Sequence, residues 1–189
     1  MADYGQFTRF NVVGCSGSGK SSVGRRISAA LNLPYIELDA IYWQPDWTEP
    51  HDDEFLPALA ESLAGEAWVL DGNYHRTVPI KWQKVDVVVW LDLPHWQIFW
   101  QVLNRTLRRS ITREELWAGN RESLAKAFFS RDSILLWSVT NMKKIRDRYS
   151  DVMRDESFSN IRFVRLRSRD EVSAFVAALT ESRAEQLNR

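Results

Sequence analysis

The chain has 189 residues and a mass of 22.0 kDa, enough for one globular domain with one core and too little for two. A hydrophobic fraction of 44% with nine Trp, nine Phe and five Tyr fills an interior, and 26% charged residues solvate its outside, so wholesale disorder is excluded. Lys plus Arg and Asp plus Glu both number 25, so no net field draws the chain to duplex DNA or an anionic membrane, and direct nucleic-acid binding is not expected. The single cysteine, Cys15, excludes an intrachain disulfide and a four-thiolate zinc site. No apolar run reaches about 18 residues, and the polar start from Met1 to Arg9 lacks a signal-peptide core. A cytoplasmic protein is therefore expected.

In chain order, strand and helix signals alternate. Phe7 to Val13 reads as a strand that runs into a glycine-rich turn, and Lys20 to Leu31 follows as a helix with Val23, Ile27, Ala30 and Leu31 at helical spacing. Tyr35 to Leu38 is a short second strand. Asp53 to Leu63 carries Phe55, Leu56, Leu59 and Leu63 on a second helix, and Trp68 to Leu70 is strand three. Val85 to Leu91 lacks polar alternation, as a strand covered on both faces of a parallel sheet requires. A long helix is predicted from His95 to Ser110, with Asp92 as N-cap candidate and Pro94 as first-turn proline. After the polar stretch from Thr112 to Glu122 come a helix over Asp132 to Tyr149, a last strand over Ile161 to Leu166 and a closing helix over Asp170 to Leu179. The pattern predicts a single α/β domain, a three-layer sandwich around a five-stranded, mostly parallel sheet. Ligands of such sheets gather at the carboxyl ends of the strands.

Between the first strand and helix, Gly14-Cys15-Ser16-Gly17-Ser18-Gly19-Lys20-Ser21 matches G-x-x-x-x-G-K-[ST] in full. Glycines let the backbone wrap a phosphate with its N–H groups, and the helix that opens at Lys20 aims its positive end at the same anion. The pattern assigns Gly14 to Ser22 to nucleoside triphosphate binding, Lys20 to the β- and γ-phosphates and Ser21 to Mg²⁺. Cys15 occupies a variable position of the loop.

With this loop, the segments Leu38-Asp39-Ala40-Ile41-Tyr42-Trp43-Gln44-Pro45-Asp46-Trp47 and Trp68-Val69-Leu70-Asp71-Gly72-Asn73-Tyr74 resemble the small P-loop kinases of the adenylate-kinase and shikimate-kinase type. Within them the chain looks most like the adenylate-kinase-related branch often named DNA topology modulation protein. The resemblance implies a P-loop fold with an acceptor-side flap over about residues 39–66 and a lid over about residues 110–125. It implies ATP and Mg²⁺ as cofactors, and transfer of the γ-phosphoryl group to an unassigned small acceptor, nucleotides and nucleosides among the candidates. The alternative is a nucleotide-binding regulator that affects DNA topology or expression without a kinase reaction.

The same resemblance distributes roles along the chain. Asp71, before Gly72, looks like the carboxylate that supports Mg²⁺ through water and borders the acceptor; a turn aspartate is the competing reading. Asp39, at the end of strand two, resembles the aspartate that faces the acceptor hydroxyl and takes its proton, against a cap or turn role. Tyr42 and Trp43 wall the acceptor pocket or pack the flap, and Arg76 falls where the related run Asp-Gly-Phe-Pro-Arg places an acceptor-phosphate arginine, here one residue later and without the proline. Arg109 is assigned to the nucleotide, and Arg113 and Arg121 to a lid that neutralises transition-state charge, with Gly119-Asn120 as its hinge; a solvated basic face is the alternative.

Overall fold

A computed structural model describes residues 4–112, 115–120 and 134–187 of the chain. Among them five strands, β1 (Arg9–Gly14), β2 (Tyr35–Glu37), β3 (Trp68–Asp71), β4 (Val87–Leu91) and β5 (Arg162–Leu166), form one sheet in the order β2-β3-β1-β4-β5. Every neighbouring pair is parallel, so the sheet is wholly rather than mostly parallel. The helices are α1 (Lys20–Leu31), α2 (Leu38–Tyr42), α3 (Asp52–Ser62), α4 (Val78–Lys81), α5 (His95–Thr112), α6 (Ile134–Val152) and α7 (Arg169–Leu187).

The strand sequences explain the three layers. Along β1, Phe10 and Val12 turn to one face, where Val23, Ile27 and Leu31 of α1 and Phe175 and Leu179 of α7 cover them; Val13 turns to the other, against Ile98 and Val102 of α5. All five residues of β4 are buried, which is why Val87 to Leu91 shows no polar alternation. One boundary and one cap differ from expectation for physical reasons. β1 begins at Arg9 because the carboxylate of Asp86 accepts from the amides of Thr8 and Arg9, at 3.1 and 2.9 Å, just before the ladder. Helix α5 is not capped by Asp92: the Pro94 carbonyl accepts from the amides of Gln97 and Ile98, and the Asp92 carboxylate is taken by Arg146 and Arg165 instead.

One buried polar group governs the site end of the sheet. Asn11, fully buried on β1, donates from Nδ2 to the carbonyls of Leu70 and Gly72, at 3.1 and 3.0 Å, and accepts from Trp82 Nε1 at 2.9 Å. Lys81, also fully buried, donates from Nζ to the same Gly72 carbonyl at 3.4 Å. Burial pulls its ammonium down to about 7 from an ordinary 10.5.

The sign of the resulting pH effect follows from linkage. Between about pH 7 and 10.5 the unfolded chain holds a proton that folded Lys81 has lost, so this group's contribution to stability rises with pH across that window. Denaturant unfolding at pH 7 and pH 9 should show the parent gaining on Lys81→Met by on the order of 1 kcal/mol per pH unit. A difference that is the same at both pH values would return Lys81 to an ordinary ammonium.

Candidate functional site

The carboxyl ends of β1, β2 and β3 lie side by side, with Val12 paired to Asp71 and Glu37 paired to Asp71 in the ladders. On β1 the chain enters the phosphate loop and leaves it into α1. Gly17 there has φ +79°, and a Cβ at this position would lie 2.1 Å from Val102 Cγ2, so only glycine lets the loop settle on α5. Lys20 folds back across the loop, its Nζ donating to the Cys15 carbonyl at 3.1 Å. Ser18 is buried, and its Oγ has no hydrogen-bond partner among the described residues. Ser21 is half-buried and Ser22 exposed on the first turn of α1. Cys15 is buried, and burial pushes its thiol up despite Lys20, so a thiolate nucleophile is disfavoured.

The second strand is one residue shorter than expected, and Asp39 sits in the first turn of α2 rather than on a strand end. Tyr74 donates its hydroxyl to Asp39 Oδ1 at 2.9 Å. Burial raises the Asp39 carboxyl above the usual aspartate range, against the pull of Lys20 and of the Tyr74 hydrogen bond; Asp71 pushes it up and Arg105 down. Lys20 and Asp71 are thus both within electrostatic reach of Asp39. Asp71 is buried; its Oδ2 accepts from the Tyr35 hydroxyl at 3.1 Å, while Oδ1 has no hydrogen-bond partner among the described residues. Two buried oxygens lack partners among the described residues, Ser18 Oγ in the phosphate loop and Asp71 Oδ1 at the end of β3; a phosphate on the loop and the hydration shell of a hard cation fit such a donor set. No group of three or more His, Cys, Asp or Glu residues that would hold a metal without phosphate occurs among the described residues.

From Tyr74 outward the site is walled by aromatic rings. Ring centroids run from Tyr74 to Tyr42 at 4.3 Å, Tyr42 to Trp43 at 4.9 Å, Trp43 to Trp47 at 5.3 Å and Trp47 to Trp117 at 6.4 Å. Tyr42 is core, and Trp43 is half-buried beside it. Arg76 lies over the rings of Tyr42 and Phe55, at 5.1 and 5.2 Å, and pairs with Asp52 at 3.0 Å, so it joins the aromatic cluster to α3. Glu37 pairs with Arg25 at 3.1 Å; burial and then the neighbouring Asp71 push its carboxyl up, while a hydrogen bond from Trp117 pulls it down.

Asn120, read in the sequence with Gly119 as a hinge, ties its own turn to the turn from Gln44 to Trp47. It is 5% exposed, accepts from the Trp47 amide at 2.9 Å and donates to the Gln44 carbonyl at 2.8 Å. The turn it grips holds Asp46 and Trp47 at φ +59° and +58°, and the facing turn holds Ala118 at φ +54°. Left-handed non-glycine residues cost of order 1 kcal/mol or more each, so something must over-determine them. Arg113 and Arg121 lie outside the described residues. Arg109 is half-buried on α5. The sequence by itself gives Glu37, Tyr35, Tyr74 and Trp117 no role: their partners are fixed only when β2, β3 and the segment before Asn120 meet.

No family model matches the chain. It is 43% identical over 56 residues to a cytidylate kinase of Thermus thermophilus, covering 26% of this chain and 27% of that protein. It is 31% identical over 102 residues to a shikimate kinase of Synechococcus, covering 47% of this chain and 52% of that protein. The chain therefore spans about a quarter to a half of the length of these curated relatives. Among solved structures, the shikimate kinase from Acinetobacter baumannii in complex with shikimate aligns with a TM-score of 0.57 at 15% identity, covering 97% of this chain and 96% of that one. The architecture is the P-loop fold that the small kinases share, and the partial sequence matches run to enzymes of the same class.

Asn120→Ala removes the donor and the acceptor that hold the flap turn. Unfolding free energy should fall by about 1–3 kcal/mol, and hydrogen exchange at the Trp47 amide should accelerate. Unchanged exchange at Trp47 would show that the turn holds itself.

Proposed function

We propose that the protein is an ATP-dependent phosphotransferase that moves the γ-phosphoryl group to a small acceptor bound between α2 and the turn after β3. The observation that carries this reading is the convergence of Lys20, Asp39 and Asp71 at the carboxyl ends of three adjacent strands. Lys20 and the loop amides of Gly14 to Gly19 would hold the triphosphate. Mg²⁺, when bound, neutralises phosphate charge, with Ser21 as its ligand and Asp71 holding water of its shell. Asp39 orients the acceptor hydroxyl. As that oxygen forms its bond to the γ-phosphorus and the bond to the β–γ bridging oxygen breaks, Asp39 takes the hydroxyl proton and ADP leaves. A carboxyl raised by burial is better matched to that proton than an exposed one. Tyr74 keeps Asp39 in place, and Tyr42, Trp43, Trp47 and Arg76 shape the acceptor side. Arg109, Arg113 and Arg121 are assigned by sequence to the phosphates.

Relatives named for cytidylate and for shikimate share this frame, so the acceptor is a matter for a product screen. The Leu38-to-Trp47 and Trp68-to-Tyr74 segments support placement in the adenylate-kinase-related branch named for DNA topology modulation, and the reading puts the protein in the cytoplasm with its ATP. No helix among the described residues is long and apolar enough to cross a membrane.

A mass-spectrometric search for phosphorylated product across nucleosides, nucleotides, sugars and hydroxy acids should yield a product that requires Mg²⁺-ATP. Lys20→Ala should lower its formation by about 10³-fold while leaving the fold intact. Retained ATP binding with no product from any class would favour the nucleotide-binding regulator.

For the same product, Asp39→Asn keeps the shape of the side chain but cannot take the proton. ATP affinity by calorimetry should stay within about twofold of the parent while transfer falls by about 10²-fold or more. Equal transfer rates would return Asp39 to a helix-start residue.

A further inference from the structure

The segment from Gly72 to Lys81 is a ten-residue loop whose two ends meet. It leaves β3 at Gly72, presents Tyr74 to Asp39 and Arg76 to the Tyr42 and Phe55 rings, and returns through α4 so that Lys81 Nζ reaches the Gly72 carbonyl. That carbonyl has two donors, Lys81 and Asn11, and Asn11 is itself held by Trp82, the residue after Lys81. The last residue of α4 and its successor therefore grip the beginning of the loop from two sides.

The grip bears on both carboxylates of the site. Gly72 follows Asp71 directly. Its φ is +145°, and a Cβ there would lie 2.5 Å from Leu38 Cβ, so the turn is pressed against the residue that precedes Asp39. A shift of the Gly72 peptide would move Asp71 along the chain, Leu38 through contact and Tyr74 through the loop. Lys81 is fully buried, and among the described residues this carbonyl is its one hydrogen-bond partner. The titratable group recorded against it is His75, which the charges of Arg148 and Lys81 both act on. A buried lysine is expensive unless its contact does something an apolar side chain would not.

We propose that Lys81 is a positioning residue of the phosphoryl-transfer site: by closing the Gly72–Lys81 loop on the Gly72 carbonyl it fixes the Asp71 carboxylate that holds the hydrated Mg²⁺ of bound ATP. The assignment rests on the phosphotransfer reading and deepens it. Lys81 touches neither ATP nor acceptor; it acts through Gly72 on Asp71.

The test needs no acceptor. Calorimetric titration with ATP plus Mg²⁺ and with ATP plus EDTA gives, as the ratio of the two affinities, the gain that the metal supplies. In the parent this ratio should exceed one, and Asp71→Asn should reduce it. Lys81→Met, similar in length but without a donor, should cut the ratio by about tenfold and leave the EDTA affinity within about twofold, as loss of outer-shell support does. Lys81→Gln, which keeps an N–H donor, should restore most of the ratio, and Lys81→Leu, also without a donor, carries the test if the methionine variant does not fold. A ratio in folded Lys81→Met or Lys81→Leu equal to the parent's, whatever its melting temperature, would overturn the assignment alone. A parent ratio of one would overturn the phosphotransfer reading and this assignment with it.

Discussion

The carbonyl of Gly72 is where the central strand, the turn after β3 and the end of α4 are tied together. A β-strand carbonyl that leaves its ladder inside a protein must find donors or forfeit stability, and here the donors come from Asn11 on β1 and Lys81 at the end of α4. Asn11 serves as a polar rivet in a strand whose other inward residues are Phe10, Val12 and Val13. Because its amide also bonds the Leu70 carbonyl, the end of β3 keeps its height relative to β1, and so Asp71 keeps its height relative to the phosphate loop. Beside the β1–β3 ladder itself, one asparagine and the carbonyls it bonds hold the carboxylate and the phosphate loop, which leave different strands, in a fixed relation.

Most of the architecture was legible because the parallel sheet writes a plain signal. Val87 to Leu91 could only be a strand buried on both faces, and the loop from Gly14 to Ser21 could only join a strand to a helix. What stayed hidden was contact at long range in the sequence. Tyr74 belongs to a recognisable segment, yet nothing in the chain tells that its hydroxyl meets Asp39, 35 positions away. Asn120 beside Gly119 has the composition of a hinge, and composition is silent about the flap 73 residues earlier that its amide holds. Asp92 shows the same limit. Asp-Leu-Pro before a helix is a capping signature, but two arginines from α6 and β5 offer more than a pair of orphan amides.

The Asp92 cluster also shows how the nucleotide half and the end of the chain are joined. Arg165 lies over Trp90 at 4.3 Å and bonds Asp92 from β5, while Arg146 reaches the same carboxylate from α6. The carboxylate is largely buried and each arginine is partly open to water, an arrangement in which desolvation is shared and the planar forks find fixed partners. Asp92 follows β4, one strand away from the phosphate loop, so the clamp stiffens the loop's neighbour.

The placing of β1 at the middle of the sheet has a consequence for how the chain comes into being. Of the five strands of the sheet, the one synthesised first is the one that needs two partners, β3 and β4, and the second of these ends only at Leu91. Until then Phe10 to Val13 present a mostly apolar ribbon with at least one edge bare, in a topology where parallel pairing waits on crossovers and is slow to close. A nascent chain of this design must be shielded or must collapse loosely in the interval, and production at a reduced rate or with abundant holdase chaperones should favour soluble protein over inclusion bodies.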